Sequence, residues 1–387
     1  MRLVFFSGTH PDTKHISGIR AARFAHELAR AGHQCALLCP TLDEKAHTRL
    51  DPRQFGIHDW ATPLIVPIRA RESTSRLPAL FKPAATALNV VRFGGNKHEL
   101  YRAMIVSAEQ IALHFPPDAA WATFGTLETV MATSRFAGRA GIPWVFDVKD
   151  NPDLYVPRFA RRHLARQFGG CGALTSNAEL HAQAAEKWLR RPAEVIYSGV
   201  EDAFFTRRNA DLEHPYVTLS GGLYHQDRVD AFVAGVAAHN RLTRAPLKII
   251  YMGSQIDMLE QAARHHSEVE IENFGYVETC RMAHVCQAAM ANAYIFFGRG
   301  FHHKLFELLA CNRPVIAFGG ELPESKLQAA NLDKRLETPE SSSGLSDILN
   351  DISFSTREPA TDSTDKFFLW SQQAACLEKI FGNIIRS

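Results

Sequence analysis

The sequence lacks several features that would place it in a simple class. Its seven cysteines are scattered and form no Cys-x-x-Cys pair, so neither a thioredoxin-type redox motif nor a zinc ribbon is indicated. This pattern predicts reduced, buried thiols in a cytoplasmic protein. No apolar run approaches the roughly 18 residues of a membrane-spanning helix. The apolar run of MRLVFF is also too short for a signal peptide, so none is expected.

The sequence also lacks an excess of charge of one sign. The formal net charge is only +2, so the chain is not built to coat nucleic acid and no nucleic-acid partner is predicted. A Gly-x-Gly-x-x-Gly fingerprint is absent as well, because the first loop, SGTHPDTKHISG, has a different glycine spacing. This spacing argues against a dinucleotide-dependent oxidoreductase.

What the sequence does contain is a repeated strand–helix rhythm. RLVFF, GIRAARFAHELARAGH and QCALLCP predict a strand, a helix and a strand, and the rhythm returns from YVTLSGG onward. We therefore expect an α/β protein with two doubly wound, Rossmann-like domains facing across a cleft. The predicted limits are 1–204, 205–365, and 366–387 for an amphipathic C-terminal helix that crosses back to the first domain. Residues 41–100 show less regularity, and 339–366 are interpreted as a loose crossing segment.

Glycines follow predicted strands in both halves. Gly8 and Gly18 lie in the first loop, Gly222 follows YVTLS, and Gly300 follows the strand NAYIFF. Glycine loops at strand ends let backbone amides approach a phosphate. Many such glycines are needed only for steric reasons, but together they favour a phosphate-bearing ligand.

The segment HHKLFELLACNRPVIAF predicts a short helix, a stop at Pro314 and a buried strand. Lys304 and Glu307 lie one turn apart at the start of this mostly apolar helix. Two interpretations remain open: an i,i+3 ion pair on a solvated face, and a ligand site behind the glycines.

Several of these segments together resemble a known family. HHKLFELLACNRPVIAF, AEVIYSGVEDAFF, NFGYV, GIRAARFAHELARAGHQCALLCP and VFDVKDNPD are similar to segments of GT-B glycosyltransferases, most closely retaining glycosyltransferase family 4. The resemblance covers nearly the whole chain. It implies a glycosyltransferase of the hexosyltransferase type, which moves a sugar from a UDP- or GDP-linked donor to a glycan or lipid-linked acceptor.

The resemblance also implies roles for individual residues. Glu307 would accept hydrogen bonds from the ribose hydroxyls, and Lys304 would face the phosphates. Arg228 would bind the pyrophosphate, the alternative being a solvated arginine at a helix start. Tyr276 and Val277 would present backbone groups to the base, the alternative being a glycine turn with a packed tyrosine.

This chain departs from the family in ways that matter. Many members carry a second glutamate eight residues before the position of Glu307, where this chain has Arg299. Arg299 would pair with a phosphate or an acidic sugar instead. Asn312 replaces a glycine and can still end the helix, because asparagine tolerates a left-handed backbone.

The expected mechanism needs no metal, because the sequence contains no Asp-x-Asp motif. Arg299, Lys304 and Arg228 would then neutralise the leaving diphosphate. Asp150 would orient the acceptor, or act as a base if the anomeric configuration inverts, the alternative being a cap and salt-bridge role in a tight loop. For Asp147 a salt bridge is the favoured interpretation.

Alternatives and partners stay open. A nucleotide-sugar epimerase or hydrolase, and a non-catalytic binding protein, would have the same fold. The stretches LPALFKPAATALNVVRF and RFARRHLARQF are either ordinary amphipathic helices or contacts with an acidic membrane surface at its cytoplasmic face.

Overall fold

The computed structural model describes most of the chain. The described residues are 1–13, 15–42, 53–69, 82–206, 215–298, 300–354 and 368–387. The predicted site residue Arg299 and all of residues 355–366 lie outside them. By their contacts the residues form two units, one of Met1–Ser198 with Trp370–Ser387 and the other of Gly199–Leu369.

The first unit is built on a seven-stranded parallel sheet with the order β3-β2-β1-β4-β5-β6-β7. Its strands are β1 (Arg2–Phe6), β2 (Gln34–Pro40), β3 (Leu64–Ile68), β4 (Ala119–Thr123), β5 (Trp144–Val148), β6 (Ala173–Ser176) and β7 (Glu194–Val195). Central strands such as β4 are buried throughout, as expected for a parallel sheet that is covered on both faces. The strands are added on one side of β1 up to β3 and on its other side from β4 onward. β1 and β4 pair in parallel, with Leu3 opposite Ala119.

Helices cover both faces of this sheet. They are α1 (Ile16–Arg30), α2 (Gln54–Ile57), α3 (Lys82–Phe93), α4 (His98–His114), α5 (Leu127–Ala140), α6 (Pro152–Tyr155), α7 (Arg158–Phe168) and α8 (Glu179–Leu189). Gly141 follows α5 with a φ of +66°, a left-handed conformation that ends the helix without strain.

The second unit repeats the design with a six-stranded parallel sheet of order β10-β9-β8-β11-β12-β13. Its strands are β8 (Tyr216–Ser220), β9 (Lys248–Met252), β10 (Ile271–Asn273), β11 (Ala291–Ile295), β12 (Val315–Phe318) and β13 (Leu336–Glu337). Its helices are α9 (Gln226–Leu242), α10 (Ile256–Ala263), α11 (Thr279–Ala288), α12 (Lys304–Ala310), α13 (Pro323–Asn331) and α14 (Ser342–Phe354).

The last helix, α15 (Trp370–Arg386), belongs to the first unit. Its buried face includes Leu377 and Phe381, which share a hydrophobic cluster with Phe5 and Trp121. The Phe5 and Phe381 rings meet edge to face at 6.3 Å between centroids. The predicted return of the C-terminal helix to the first domain is confirmed.

The structure adds to the sequence prediction at one place and corrects it at another. The stretch 41–100, described only as less regular, contains β3 and the start of α4, whose Leu100 is buried in the core of the first unit. The supposed loose segment contains α14, whose Leu345 and Leu349 are fully buried against α9. The serines at its start concealed a helix that packs on the sheet.

The cysteine and membrane expectations can also be compared with the structure. Five of the seven cysteines are buried, but Cys280 and Cys376 are exposed, so burial was predicted for too many of them. Within the described residues, no helix is both long enough and apolar enough to cross a membrane.

Candidate functional site

The second sheet has a topological switch point beside β8. The chain runs outward from β8 through β9 to β10, and then returns to place β11 on the other side of β8. In doubly wound sheets ligands bind outside the carboxyl ends of the strands at such a point. The loop after β8 carries Gly221 and Gly222, and the loop after β11 leads through Gly298 to α12.

The loop after β8 passes close to the residues that begin α12, and its first glycine adopts a left-handed backbone. Gly221 has a φ of +97°, and a Cβ built on it would lie 3.7 Å from His302 Nε2 and 4.0 Å from Lys304 Cδ. A Cβ on Gly222 would lie 2.9 Å from the Tyr224 ring. The loop backbone therefore lies against the residues around the start of α12. Gly222 and Lys304 thus lie at the same edge of the second sheet.

Backbone donors on this loop differ in their availability. The Gly221 N–H donates to Met252 O at 3.1 Å, so it is already used. The N–H of Gly222 has no acceptor among the residues that the structure describes. Gly222 is therefore the glycine of this loop that can offer an amide to a phosphate.

Glu307 lies in the first turn of α12, between residues that are fully buried. Burial raises the pKa of its carboxyl group; the Lys304 ammonium opposes the shift and the Glu201 carboxylate adds to it. Within the described parts of the chain, its carboxylate oxygens have no hydrogen-bond or ion-pair partner. The side chain is half-buried, and an acceptor that burial disfavours and that no protein group satisfies is costly for folding, so a ligand role explains it better than a structural one.

Lys304 is similarly under-used by the protein. Its Nζ contacts Met282 Sδ at 3.8 Å, and no carboxylate lies within ion-pairing distance of it in the described regions. The alternative interpretation, an i,i+3 ion pair between Lys304 and Glu307, is therefore not what the described residues form. Lys304 and Glu307 are held one turn apart. The ammonium is available to an anionic ligand group, and the carboxylate is available to hydrogen-bond donors of a ligand.

Arg228, in the first turn of α9, reaches across the carboxyl ends of two further strands. Its Nη1 donates to Phe296 O after β11, and a Cβ on Gly319 after β12 would lie 2.9 Å from the same nitrogen. The guanidinium is therefore anchored at the sheet edge rather than free in solvent. This placement agrees with the predicted site better than with a solvated arginine.

The predicted base-binding turn follows β10. Gly275 has a φ of +60°, and its N–H donates to Asn273 Oδ1 at 2.9 Å, which closes a tight turn. Tyr276 is 65% exposed, so the packed-tyrosine alternative is not what the structure contains. Val277 is half-buried. Gly300, which is buried and has a φ of +141°, adjoins Arg299 before α12.

In the first unit Asp147 forms a buried ion pair. Arg20 donates to both its carboxylate oxygens at 2.8 and 2.9 Å, and the hydroxyls of Thr123 and Thr175 donate to them at 2.9 Å each. Both charged side chains are fully buried. The salt-bridge interpretation of Asp147 is confirmed, and the carboxylate has no capacity left for an acceptor.

Asp150 has a different environment. Lys149 Nζ lies 2.9 Å from its carboxylate, and Lys149 is only 5% exposed. Beside this pair lies His181, whose Nδ1 is 2.9 Å from Asn177 Oδ1 and whose pKa is lowered, mainly by burial. Sequence analysis missed Lys149 and His181, although Lys149 stands between the two aspartates that drew attention.

The first-loop glycines have a steric explanation. A Cβ on Gly8 would lie 2.9 Å from the hydroxyls of Thr126 and Thr129, and one on Gly18 would lie 2.7 Å from His10 O. The Gly18 N–H already donates to His15 O at 2.9 Å. A phosphate contact at Gly8 or Gly18 stays a prediction.

Metal ligands are not grouped in the described part of the chain. No cluster of three or more histidine, cysteine, aspartate or glutamate side chains is positioned to hold an ion there.

Comparisons with solved structures support the fold. The chain is similar to sucrose-phosphate synthase from Thermosynechococcus elongatus, with a TM-score of 0.69, 12% identity and coverage of 100% of this chain and 99% of that one. It is similar to UDP-GlcNAc 2-epimerase from Methanocaldococcus jannaschii, with a TM-score of 0.59, 12% identity and coverage of 99% and 100%. It is also similar to Anabaena HepE in complex with UDP, with a TM-score of 0.58, 14% identity and coverage of 100% of this chain and 98% of that one.

No protein-family model matches the sequence, and no curated protein sequence matches it. At these identities the likeness concerns the fold alone. The chain has the predicted two-unit α/β architecture of the GT-B fold, with a parallel doubly wound sheet in each unit.

Proposed function

We propose that this protein is a glycosyltransferase that uses a nucleotide-sugar donor. The observation that carries the proposal is Glu307, a partly buried carboxylate without a protein partner at the switch point of the second sheet. A carboxylate can accept two hydroxyl donors at once, which suits the paired hydroxyls of a ribose. The cost of leaving it unpaired would be recovered when the nucleotide binds.

Positive charge beside Glu307 suits a diphosphate. Lys304 and Arg228, with the free N–H of Gly222, would bind the phosphate oxygens and stabilise the charge that develops as the nucleoside diphosphate leaves. Arg299 would add a further cation if it faces the same group. With these groups, transfer would proceed without a metal ion, and retention of configuration would follow from the resemblance to glycosyltransferase family 4.

The choice of donor follows from the likeness in fold. HepE has been solved with UDP and with UDP-glucose. UDP-linked donors are therefore the first to test, and GDP-linked donors the second. Tyr276 and Val277 would contact the base, and Asp150, held by Lys149, would orient the acceptor.

An epimerase is the second candidate, because the similar structures include UDP-GlcNAc 2-epimerases at full coverage. A nucleotide-sugar hydrolase and a binding protein without turnover are further outcomes. These activities differ in what they need: a transferase releases nucleoside diphosphate only when an acceptor is present, whereas an epimerase or a hydrolase converts the sugar nucleotide alone.

The test incubates the protein with UDP-glucose, UDP-GlcNAc and GDP-mannose, with and without a glycan and lipid extract, and separates the nucleotides by chromatography. We expect diphosphate release that depends on the extract and that Glu307→Gln abolishes. Conversion without the extract would replace the transferase by an epimerase or a hydrolase. Binding without turnover would indicate a binding protein.

We propose further that the acceptor side works at an acidic membrane surface. Leu154, Tyr155 and Phe159 are 46%, 63% and 61% exposed around the junction of α6 and α7. Arg158, Arg162 and Arg166 are exposed on α7. Apolar side chains beside arginines fit anionic headgroups over acyl chains. The other suggested stretch, LPALFKPAATALNVVRF, lies partly outside the described residues.

Flotation with phosphatidylcholine vesicles, with and without phosphatidylglycerol, tests this surface. We expect binding only to the anionic vesicles, weakened about tenfold or more by Arg162→Glu, since each basic residue contributes about 1 kcal/mol at an acidic surface. Arg264→Glu makes the same charge change at an exposed position in the second unit. Equal binding of the two variants would contradict the assignment of α7.

A further inference from the structure

His302, just before α12, makes no hydrogen bond with the described residues, and the proposed function has given it no role. Its Nδ1 is buried and without a partner. Its Nε2 faces the loop after β8, 3.7 Å from the position of a Cβ on Gly221. Lys304 approaches the same point at 4.0 Å. The imidazole and Lys304 therefore border the same space beside the loop after β8.

The ring is held in place by stacking. It lies on the Tyr294 ring with 4.2 Å between centroids and 12° between planes. Tyr294 is buried on β11, and its hydroxyl donates to the Glu321 carboxylate after β12. Glu321 also accepts from the Leu322 N–H at 2.7 Å. Because the tyrosine is fixed at both ring and hydroxyl, the imidazole edge is directed before any ligand arrives.

The protonation state of the ring follows from its surroundings. Burial, with a smaller effect from Lys304, lowers the pKa of His302 to about 3, so the imidazole is neutral at ordinary pH. A buried N–H without an acceptor is expensive. The single proton is therefore best placed on Nε2, where it is available to a ligand.

We propose that His302 is a ligand-binding residue of the donor site, whose neutral Nε2–H donates to a phosphate oxygen of the nucleotide sugar beside Lys304. This inference rests on the proposed function. A neutral donor adds a directed hydrogen bond to the charge of Lys304 without a second buried cation, which the low exposure of the ring would disfavour. An anionic acceptor makes such a bond stronger than a neutral one.

The experiment compares His302→Gln with His302→Asn in the full-length protein. The glutamine amide can place a donor near the position of Nε2, whereas the shorter asparagine places it near Nδ1. Calorimetric titrations use UDP or GDP, whichever the wild type binds, and the matching nucleoside without phosphates. We expect His302→Asn to bind the diphosphate about tenfold more weakly and His302→Gln to stay within about threefold, as for one charge-assisted bond.

The nucleoside separates His302 from Glu307. Loss of His302 should leave nucleoside affinity unchanged, whereas Glu307→Gln should weaken both ligands because it removes a ribose contact. Nitrogen-15 NMR of the wild type should show the neutral tautomer with its proton on Nε2.

Two results would overturn the inference alone: equal diphosphate affinity of the asparagine variant and the wild type, or a proton found on Nδ1. If the wild type binds neither UDP nor GDP, the proposed function fails together with it. Thermal melts of both variants establish that they are folded.

Discussion

Glu307 shows how a single residue can favour a ligand over stability. Its carboxyl group is desolvated by the apolar helix around it and receives no hydrogen bond among the described residues. Natural proteins tolerate such a group where function requires it. We therefore expect one substitution at Glu307 to change the stability of the fold and the affinity for a nucleotide in opposite directions.

We predict that Glu307→Gln raises the thermal stability at neutral pH while it weakens nucleotide binding. The folded-state pKa of Glu307 is raised above its unfolded value, so folding takes up a proton between the two, and stability falls as pH rises through that window. Glutamine cannot ionise and escapes this loss. Melting temperatures from about pH 4 to about pH 8 should therefore converge at the acidic end and separate in favour of the variant above it.

The matched control is Glu260→Gln, an exposed glutamate on α10 in the same unit. It makes the same chemical change and should leave the pH profile of the melting temperature as in the wild type. A lower melting temperature for Glu307→Gln at neutral pH would mean that the protein itself stabilises the carboxylate. Its oxygens would then already be satisfied and would not be available to a ribose.

At the scale of elements, the strands and helices with strong patterns were predicted almost residue by residue. Hydrophobic runs bounded by turn residues gave β1, β2 and β12 with the observed limits. Asn312, expected to end α12 in a left-handed conformation, has a φ of +53°. These elements are determined by local sequence, so local reasoning was sufficient.

The elements that were missed depend on packing at a distance. The edge strand β3 contains a proline and follows residues without a period, and α14 begins with a run of serines. In the folded chain β3 pairs with β2, and α14 packs against α9; neither neighbour can be identified from the local sequence. Tertiary burial decided both elements against weak local preference.

We predict that Leu349→Ala in α14 lowers the free energy of unfolding by about 2 to 4 kcal/mol, because it removes a fully buried side chain from the core of the second unit. Asp347→Ala, exposed on the same helix, should change it by less than about 0.5 kcal/mol. Chemical denaturation followed by circular dichroism provides both values. Similar small changes for both variants would show that α14 does not pack on α9.

At the scale of the whole molecule, the sequence predicted the architecture better than the chemistry. Two strand–helix series and an amphipathic last helix were enough for the fold, because each pattern has a physical period. The partners of the site residues could not be predicted, because they come from distant segments. Arg20 with Asp147, and Arg228 with Phe296, are such pairs.

The same limit applied to the candidate site. Glu307 and Lys304 were identified by a motif, but only the structure reveals that they do not pair with each other. Lys149 and His302 lay within recognised segments but were given no role, and His181 carried no signal beyond its residue type. The surroundings of all three are a property of the folded chain. The motif located the edge of the sheet, and packing determined which groups remain available there.

The most direct measurement is a crystal structure of the protein soaked with UDP and, separately, with GDP. We predict nucleotide density at the carboxyl ends of β8 and β11, with both ribose hydroxyls within about 3 Å of the Glu307 carboxylate and the phosphates beside Lys304. Density at another place, or a bound nucleotide whose ribose does not touch Glu307, would contradict the proposed role of this carboxylate.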